Sequence, residues 1–275
     1  MWPEFDSRLP DAKEKSPLTR TLFLCYPIFM SHLIRTRFKQ DIVAEIGLPK
    51  EPNGKLIILL QGCPSMPSQA TQRFLMKRGF VVVQPRYRGT WESSGLFLEV
   101  SPEQDVIDIL DDLNGELVDA WSKEAFHVEH DEVIIICSSF GGAAGILASR
   151  DPRVSKVVAF SPLIDWAAES PEEPKEQFLR FIKDGFGEAY RFRGEDFEKL
   201  STGEFYNPWG HMNEIDGSKL FIIQADDDMI TIPGPALEFA EVTGSKILTL
   251  KKGGHFGTGK LREWRMWWRV RSFLQ

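Results

Sequence analysis

Residues 133–144 constrain the fold of this 275-residue chain more than any other stretch, because a strand and a helix must meet there within a very short turn. Positions 133–136 are Val-Ile-Ile-Ile. A run of β-branched residues is typical of a strand buried on both faces inside a parallel sheet. Small residues follow at once, and positions 145–149 carry apolar residues at helical spacing. The stretch predicts a central strand that turns sharply into a helix.

The turn contains two serines, and one of them is placed as a nucleophile would be. In a nucleophile elbow, with the pattern Gly-x-Ser-x-Gly, the residues two before and two after the serine are small because strand and helix touch. Gly141 lies two residues after Ser139, whereas Phe140 lies two residues after Ser138. Ser139 is therefore the predicted nucleophile. Cys137 departs from the pattern, and taken alone the stretch also fits an ordinary glycine-rich strand–helix junction.

Strands and helices are predicted to alternate along most of the chain, which indicates α/β architecture: a mostly parallel sheet with helices on both faces. An N-terminal strand pair is expected at 29–34 and 41–46, joined by a basic turn at 35–39. Further apolar runs predict strands at 55–60, 80–83, 133–137, 154–160, 219–224 and 245–250. Helical spacing is seen at 69–78, 103–117, 235–242 and 260–274.

Three local expectations accompany this pattern. Residues 101–104 form a capping box that begins the helix carrying Leu117, and the aspartates of that helix are expected on its solvated face. Arg86 and Arg88 are expected to brace their loop through ion pairs. In the C-terminal helix, the tryptophans at 264, 267 and 268 are expected to pack on the sheet while the arginines extend outward.

The predicted domain organisation has three parts. Residues 1–20 are rich in proline and charge and are expected to form a loosely held arm. Residues 21–164 and 212–275 form the α/β core. Residues 165–211 break the alternation and are predicted to be an inserted helical cap. The cap is dense in aromatic residues, namely Phe178, Phe181, Phe186, Tyr190, Phe192, Phe197, Phe205, Tyr206 and Trp209.

The composition limits the classes of protein that fit. A formal net charge of -7 argues against nucleic acid as a partner. Cys25, Cys63 and Cys137 are odd in number and scattered, which fits a reducing cytoplasm and offers no zinc spacing. Residues 22–34 are apolar but fall short of the ~20 residues of a membrane span, so no stable membrane insertion is expected. The oligomeric state stays open.

Candidates for an acid and a base follow two of the later strands. Because ligands bind at the carboxyl ends of parallel strands, catalytic groups are expected there. The strand at 219–224 leads into the acidic stretch 226–228, and the strand at 245–250 leads into a glycine-rich loop that contains His255. The order Ser, Asp, His is that of the α/β-hydrolase fold.

These motifs together resemble the α/β-hydrolase superfamily from about residue 40 to the C-terminus. The matching landmarks are Gln61-Gly62, Arg88-Gly89, the turn at Ser139, Ser161-Pro162 and Gly254-His255-Phe256. The stretch 161–165 and Asn207-Pro208 look most like the prolyl-oligopeptidase-like and serine-aminopeptidase-like branches.

The resemblance implies roles for further residues. Family members usually have Gly-x-x-Asp after the acid strand, which selects Asp228 and leaves Asp227 as the alternative acid. One oxyanion-binding N–H is expected from Phe140, the residue after the nucleophile at a helix N-terminus. The resemblance assigns the other to Cys63, for which a reactive thiol is the alternative reading.

The sequence thus predicts a hydrolase of carboxylic esters that works through an acyl-enzyme, without cofactor or metal. Its partners would be small-molecule esters or short peptides. Part of the cap's aromatic set is expected to form an apolar acyl pocket above Ser139. A serine peptidase is the first alternative, and a non-catalytic binding protein on the same fold is the second.

Overall fold

The computed structural model describes residues 32–168, 170–172 and 174–275. The predicted N-terminal arm at 1–20, Cys25 and the first residues of the strand predicted at 29–34 lie outside the described part of the chain.

The core is an eight-stranded sheet with the order β1-β2-β4-β3-β7-β8-β9-β10. Its strands are β1 (His32–Phe38), β2 (Ile42–Leu48), β3 (Lys55–Leu60), β4 (Val81–Pro85), β7 (Glu132–Ser138), β8 (Val154–Phe160), β9 (Leu220–Ala225) and β10 (Lys246–Leu250). The ladder from β4 to β10 is parallel, and β2 runs antiparallel to both β1 and β4. The short strands β5 (Leu117–Val118) and β6 (Ala125–Phe126) form a separate pair.

Helices cover both faces of this sheet, as the alternation predicted. They are α1 (Gln69–Met76), α2 (Glu103–Asp112), α3 (Phe140–Ala148), α4 (Lys175–Phe186), α5 (Gly194–Glu198), α6 (Pro233–Thr243) and α7 (Trp264–Leu274). Apolar residues of α2, α3 and α6 pack in one core cluster, and those of α1 and α7 pack in a second cluster on the opposite face. Along the central strands β3 and β7 residues alternate between the two clusters, so both strands have a long uninterrupted apolar run.

The N-terminal hairpin differs from the expectation. β1 continues through Phe38, so the predicted basic turn at 35–39 is wrong, and the chain reverses at 39–41 with positive φ at Lys39 and Gln40. The two arginines of β1 misled the prediction because they belong to a period-two pattern. Thr36 and Phe38 are buried, and Arg35 lies opposite Glu45 of β2 and pairs with it at 2.6 Å.

The start and end of α2 also differ. The helix begins at Glu103, and the hydroxyl of Ser101 contacts the Glu103 carboxylate instead of a backbone N–H, so the predicted capping box is absent. The helix stops at Asp112, and Leu117 lies in β5. Apolar spacing alone did not distinguish the end of the helix from the short strand that follows it.

Arginines brace the loop after β4, as expected, and their partners correct one prediction. Arg86 pairs with Glu45 at 2.6 Å, and Arg88 pairs with Asp105 and Asp108 of α2 at 2.5 Å each. Asp105 is therefore buried rather than solvated. Its pKa is raised to about 6 because burial disfavours the charged carboxylate more than Arg88 favours it.

The C-terminal helix packs through only one of its three tryptophans. Trp267 contacts the rings of Phe74 and Phe80 edge-on. Trp264 and Trp268 are 68% and 60% exposed, so the expectation that they cover the sheet is wrong. None of the helices within the described ranges has the length and apolar character needed to cross a membrane.

Between β8 and β9 the chain forms α4, α5 and short 3-10 helices at 187–189, 199–201 and 208–214. This β8–β9 segment is fastened to the loop after β4 by backbone hydrogen bonds. Trp91 N–H donates to the carbonyl of Ala189 at 2.8 Å, and Arg191 N–H donates to that of Gly89 at 2.8 Å. The fastening holds the segment beside the carboxyl ends of the parallel strands.

Candidate active site

Ser139 occupies the turn between β7 and α3 in a strained conformation. Its φ of 52° and ψ of -125° lie in a region that side chains rarely adopt. Backbone hydrogen bonds hold it there: Ser139 N–H donates to the carbonyls of Phe160 and Ser161, and its own carbonyl accepts from Leu163 at 2.9 Å. The strain presents the side chain away from both the strand and the helix.

The small residues of the turn are sterically required, as the pattern predicted. A Cβ at Gly141 would lie 2.4 Å from the carbonyl oxygen of Gln61, and one at Gly142 would lie 2.5 Å from Cβ of Pro162. Neither space admits a side chain, so only glycine lets α3 approach these loops.

Cys137, where the pattern has glycine, is accommodated by a second glycine. A Cβ at Gly145 would lie 2.7 Å from the Cys137 sulfur, so the space that the thiol fills is the space that Gly145 leaves. The thiol is fully buried and donates to the carbonyl of Val158 at 3.5 Å. Burial raises its pKa far above the usual range, which marks it as a packing residue rather than a nucleophile.

Asp228 and His255 are brought into direct contact. The Nδ1 atom of His255 lies 3.2 Å and 3.1 Å from the two carboxylate oxygens of Asp228. Asp228 is buried, and its Oδ1 also accepts from the N–H groups of Ile230 and Thr231, each at 3.0 Å. Burial alone would raise the pKa of Asp228, but the bonds from His255 and Ile230 hold the pKa below its usual value. The carboxylate thus stays charged beside the imidazole.

Asp227, the alternative acid, has a different position. Its Oδ1 accepts from the N–H groups of Gly253 and Gly254, each at 2.8 Å, in the loop that leads to His255. It therefore fastens the loop of the predicted base without touching the imidazole. Nothing in the sequence signals the contact between Asp227 and the two glycines.

Thr231 was missed by the sequence analysis, although it touches both members of this pair. Its hydroxyl lies 3.0 Å from Oδ2 of Asp228 and 3.3 Å from Nδ1 of His255. Thr231 also lines the cavity that Ser139 faces. Within the described residues no hydrogen bond joins the Ser139 hydroxyl to His255, and such bonds commonly tighten only when substrate binds.

Two further predicted site residues adjoin Ser139. Phe140 is the first residue of α3, so its N–H has no acceptor within the helix. Cys63 follows β3, and a Cβ at its neighbour Gly62 would lie 3.1 Å from Cβ of Ser139. Cys63, Ser139 and Phe140 all line one cavity.

That cavity has a volume of about 410 Å³ and a mixed wall. Its apolar side is formed by Leu163, Trp166, Phe178 and Ile230, with Phe140 at its base. Of the cap aromatics expected above Ser139, Phe178 alone reaches the wall, so the expectation that a larger share of them line the pocket is wrong.

The remaining aromatic residues pack among themselves and on the sheet. Tyr206 lies 4.7 Å from Phe140, Tyr190 lies 5.3 Å from Phe97, and Phe197 lies 6.1 Å from Phe178, measured between ring centroids. Most aromatic side chains of the β8–β9 segment therefore form its own buried core instead of lining the cavity.

Charged side chains also line the cavity. The carboxylates of Asp165 and Glu176 lie there, and neither is within ion-pair distance of a cationic side chain in the described part of the chain. Asp165 Oδ1 accepts from Ala167 N–H at 3.0 Å and from the Asn207 amide at 3.2 Å. Lys175 also lines the cavity and donates to the Ser201 hydroxyl at 3.2 Å. Across the described ranges, no cluster of three or more His, Cys, Asp or Glu side chains is arranged to hold a metal.

The sheet order, the strand–Ser139–helix turn and the acid and base after later parallel strands define the α/β-hydrolase fold, which confirms the fold predicted from the sequence. Neither a protein-family model nor a curated protein sequence matches the chain.

Solved structures share this fold at low sequence identity. An esterase of Pyrococcus furiosus aligns with 90% of this chain and 89% of its own, at 17% identity and a TM-score of 0.61. The acylaminoacyl peptidase of Pyrococcus horikoshii aligns with 89% of this chain but 40% of its own, at 17% identity and a TM-score of 0.58. A puromycin-hydrolysing peptidase of Mycobacterium tuberculosis aligns with 88% of this chain and 38% of its own, at 14% identity and a TM-score of 0.58.

Proposed function

We propose that this protein is a serine hydrolase that cleaves carboxylic esters through an acyl-enzyme. The Ser139 hydroxyl oxygen attacks the ester carbonyl carbon while Nε2 of His255 accepts the hydroxyl proton. Asp228 orients the imidazole and stabilises its cation. The backbone N–H groups of Phe140 and Cys63 bind the oxygen of the tetrahedral intermediate.

The intermediate then collapses, and the alcohol leaves with the proton that His255 holds. Water attacks the acyl carbon with His255 again as base, and the carboxylic acid is released as Ser139 regains its proton. The lowered pKa of Asp228 keeps its charge available in both steps. Only water and the chain's own residues enter this scheme.

The observation that carries the proposal is the contact between Asp228 and Nδ1 of His255 at 3.1 Å. With Nδ1 engaged by the carboxylate, the other ring nitrogen is the one left to serve Ser139. The strained φ of 52° at Ser139, which costs free energy, supports a role for this half-buried serine, which lines the cavity.

We assign residues 165–211 as a cap over the α/β core formed by 21–164 and 212–275. Trp166 and Phe178, which lie in that range, line the cavity with Ser139 and support the assignment. The scattered cysteines favour a cytoplasmic setting.

Esters are preferred as substrates because the cavity has an apolar side, formed by Leu163, Trp166 and Phe178, that suits an acyl chain. The Pyrococcus furiosus esterase, which aligns over 89% of its own length, supports the same reading. The two peptidase structures described above align over 40% and 38% of theirs.

A peptidase that binds a free amine is the second candidate. Asp165 and Glu176 favour it, because carboxylates in the cavity wall that have no cationic partner among the described residues would attract an ammonium group. For that candidate, Asp165→Asn should lower kcat/KM for aminoacyl p-nitroanilides and leave the N-acetylated anilides unaffected.

The test is a p-nitrophenyl ester series assayed beside aminoacyl p-nitroanilides. We expect kcat/KM to rise several-fold per methylene over the first acyl carbons, from ~0.8 kcal/mol for each CH₂ buried. Fast anilide cleavage with no dependence on acyl length would transfer the assignment to the peptidase.

Ser139→Ala should abolish turnover and labelling by a fluorophosphonate probe. Ser138→Ala is the matched control, because that neighbouring serine is buried and does not line the cavity. It should keep much of both activities. Labelling that persists in Ser139→Ala would refute the nucleophile.

A further inference from the structure

Two buried tyrosine hydroxyls reach the loop after β3 and the first turn of α3, the two places that carry the proposed oxyanion donors. The hydroxyl of Tyr206 donates to the carbonyl of Phe140 at 2.5 Å. The hydroxyl of Tyr87 donates to the carbonyl of Gln61, two residues before Cys63, at 3.0 Å. Both side chains are buried, and the esterase chemistry proposed above assigns neither a role.

Tyr206 connects the β8–β9 segment to the first turn of α3. Its hydroxyl donates to the Phe140 carbonyl, the first carbonyl of that turn. The tyrosine has a positive φ of 53°, and its own carbonyl accepts from the Trp166 indole at 3.0 Å. A strained backbone thus holds the hydroxyl at Phe140, the residue whose N–H is a proposed oxyanion donor.

Tyr87 lies where the loop after β3 meets the first turn of α3. A Cβ at Gly141 would be 2.7 Å from the Tyr87 hydroxyl and 2.4 Å from the Gln61 carbonyl that accepts from it. The Tyr87 ring packs edge-on against Phe140, with centroids 5.5 Å apart. One hydroxyl therefore touches the Cys63 loop and abuts the first turn of α3.

We propose that Tyr87 and Tyr206 are positioning residues that fix the oxyanion-binding N–H groups of Cys63 and Phe140. An oxyanion donor acts only when it lies 2.7–3.1 Å from the place that the charged oxygen will occupy, so a small rotation of its peptide plane weakens it. Each hydroxyl binds a carbonyl within one or two peptide units of a donor and resists that rotation. Burial raises the pKa of both tyrosines well above the usual range, which keeps them protonated donors.

The inference rests on the proposed function, and it differs from a purely structural role in what it predicts. A bond that only stabilises the fold changes the melting temperature alone. A bond that positions the donors changes kcat and the affinity for a tetrahedral adduct, while KM stays constant.

The test compares Tyr206→Phe and Tyr87→Phe with Ser149→Ala. Ser149 is a matched control because its buried hydroxyl donates to the Ile146 carbonyl at 2.6 Å, at the opposite end of the same α3. The measurements are kcat and KM for p-nitrophenyl butyrate, the inhibition constant of phenylboronic acid, and the melting temperature.

Each Tyr→Phe variant should lose about tenfold in kcat, less than the 10²–10³ that follows complete removal of a donor. Boronate inhibition should weaken by the same factor, with KM unchanged. Ser149→Ala should alter the melting temperature only.

Unchanged kcat and boronate affinity in the folded Tyr variants would overturn the inference, whatever their melting temperatures. If Tyr206→Phe fails to fold, Tyr87→Phe decides the question by the same two measurements. The proposed function itself would instead be refuted if the wild-type protein showed no ester turnover that Ser139→Ala abolishes.

Discussion

Replacing Asp228 by Asn tests the proposed catalytic pair of Asp228 and His255 at its most constrained atom. Oδ1 of Asp228 accepts from the N–H groups of Ile230 and Thr231, so the amide oxygen of Asn must take that place. The amide nitrogen then takes the Oδ2 place, which lies 3.1 Å from Nδ1 of His255. Because an NH₂ group only donates, it favours the tautomer in which Nδ1 accepts and Nε2 carries the proton. That tautomer cannot take the proton of Ser139.

The expected loss follows from this change of tautomer. The corresponding substitution in serine proteases lowers kcat by about 10⁴, which is ~5.5 kcal/mol of activation free energy. The side-chain volume is unchanged and the Oδ1 bonds are kept, but an NH₂ group at the Oδ2 place cannot accept from the Thr231 hydroxyl or the Gln224 amide, as the carboxylate does at 3.0 Å and 3.2 Å. The melting temperature should therefore fall as well, because these buried bonds are lost. The loss in kcat is measured on the folded protein and should far exceed what that destabilisation explains.

The assay is p-nitrophenyl ester hydrolysis, with Asp227→Asn as the matched control. Asp227 uses only Oδ1, as acceptor for Gly253 and Gly254, and an Asn oxygen can replace it. The loss of kcat in Asp227→Asn should be far smaller than the loss in Asp228→Asn. The reverse ranking, or a loss below about tenfold for Asp228→Asn, would refute the assignment of the acid.

Three further changes test the surroundings of the site. Asp227→Ala should lower kcat about tenfold, because it frees the His255 loop from two bonds to a charged acceptor, which contribute ~1.5–3 kcal/mol each. The measurement is kcat for the same ester, compared with kcat of Asp227→Asn. Gly145→Ala should lower the free energy of unfolding by ~1–3 kcal/mol, and adding Cys137→Ala should relieve part of the loss, so an additive double mutant in urea titrations would contradict the packing account. The pKa of Asp105 is raised to about 6 when folded, against ~3.9 unfolded, so its contribution to stability is largest below pH ~4 and is lost as pH rises through ~6. Asp105→Asn should flatten that slope in urea titrations between pH 4 and 7.

Much of the fold could be predicted because its signals are local. The strands at 55–60 and 154–160 were predicted with the bounds that the structure gives them, since each is a buried apolar run ended by small or turn-forming residues. The pairing of Asp228 with His255 followed from strand ends that meet at one edge of the sheet.

What the sequence could not supply depends on residues far apart in the chain. Tyr206 and Phe140 are separated by 66 positions, and the burial of Tyr206 results from how a whole segment settles on the sheet. The same holds for Phe178, because a count of aromatic residues does not tell which of them cover the core and which face a cavity. Composition therefore overstated the apolar character of the pocket.

Three residues depart from the α/β-hydrolase pattern, and they are the remaining argument for a non-catalytic protein. Each of the three is accommodated by local packing. Cys137 fills space that Gly145 leaves. Gln61 contributes its backbone carbonyl to Tyr87, and its side chain accepts from Thr258 rather than facing the cavity. Ala225 is fully buried, and its Cβ lies 3.3 Å from the place a Cβ would occupy on Gly253.

None of these substitutions displaces a group that the chemistry needs. The chain keeps a serine at a φ of 52° and a buried carboxylate 3.1 Å from an imidazole nitrogen, although both arrangements are costly. A protein that only binds ligands would gain nothing from the strained serine or from the buried carboxylate. Loss of the serine or the histidine would remove the need for these two costly arrangements. The presence of both, with Thr231 in contact with the pair and lining the cavity beside Ser139, favours catalysis over binding alone.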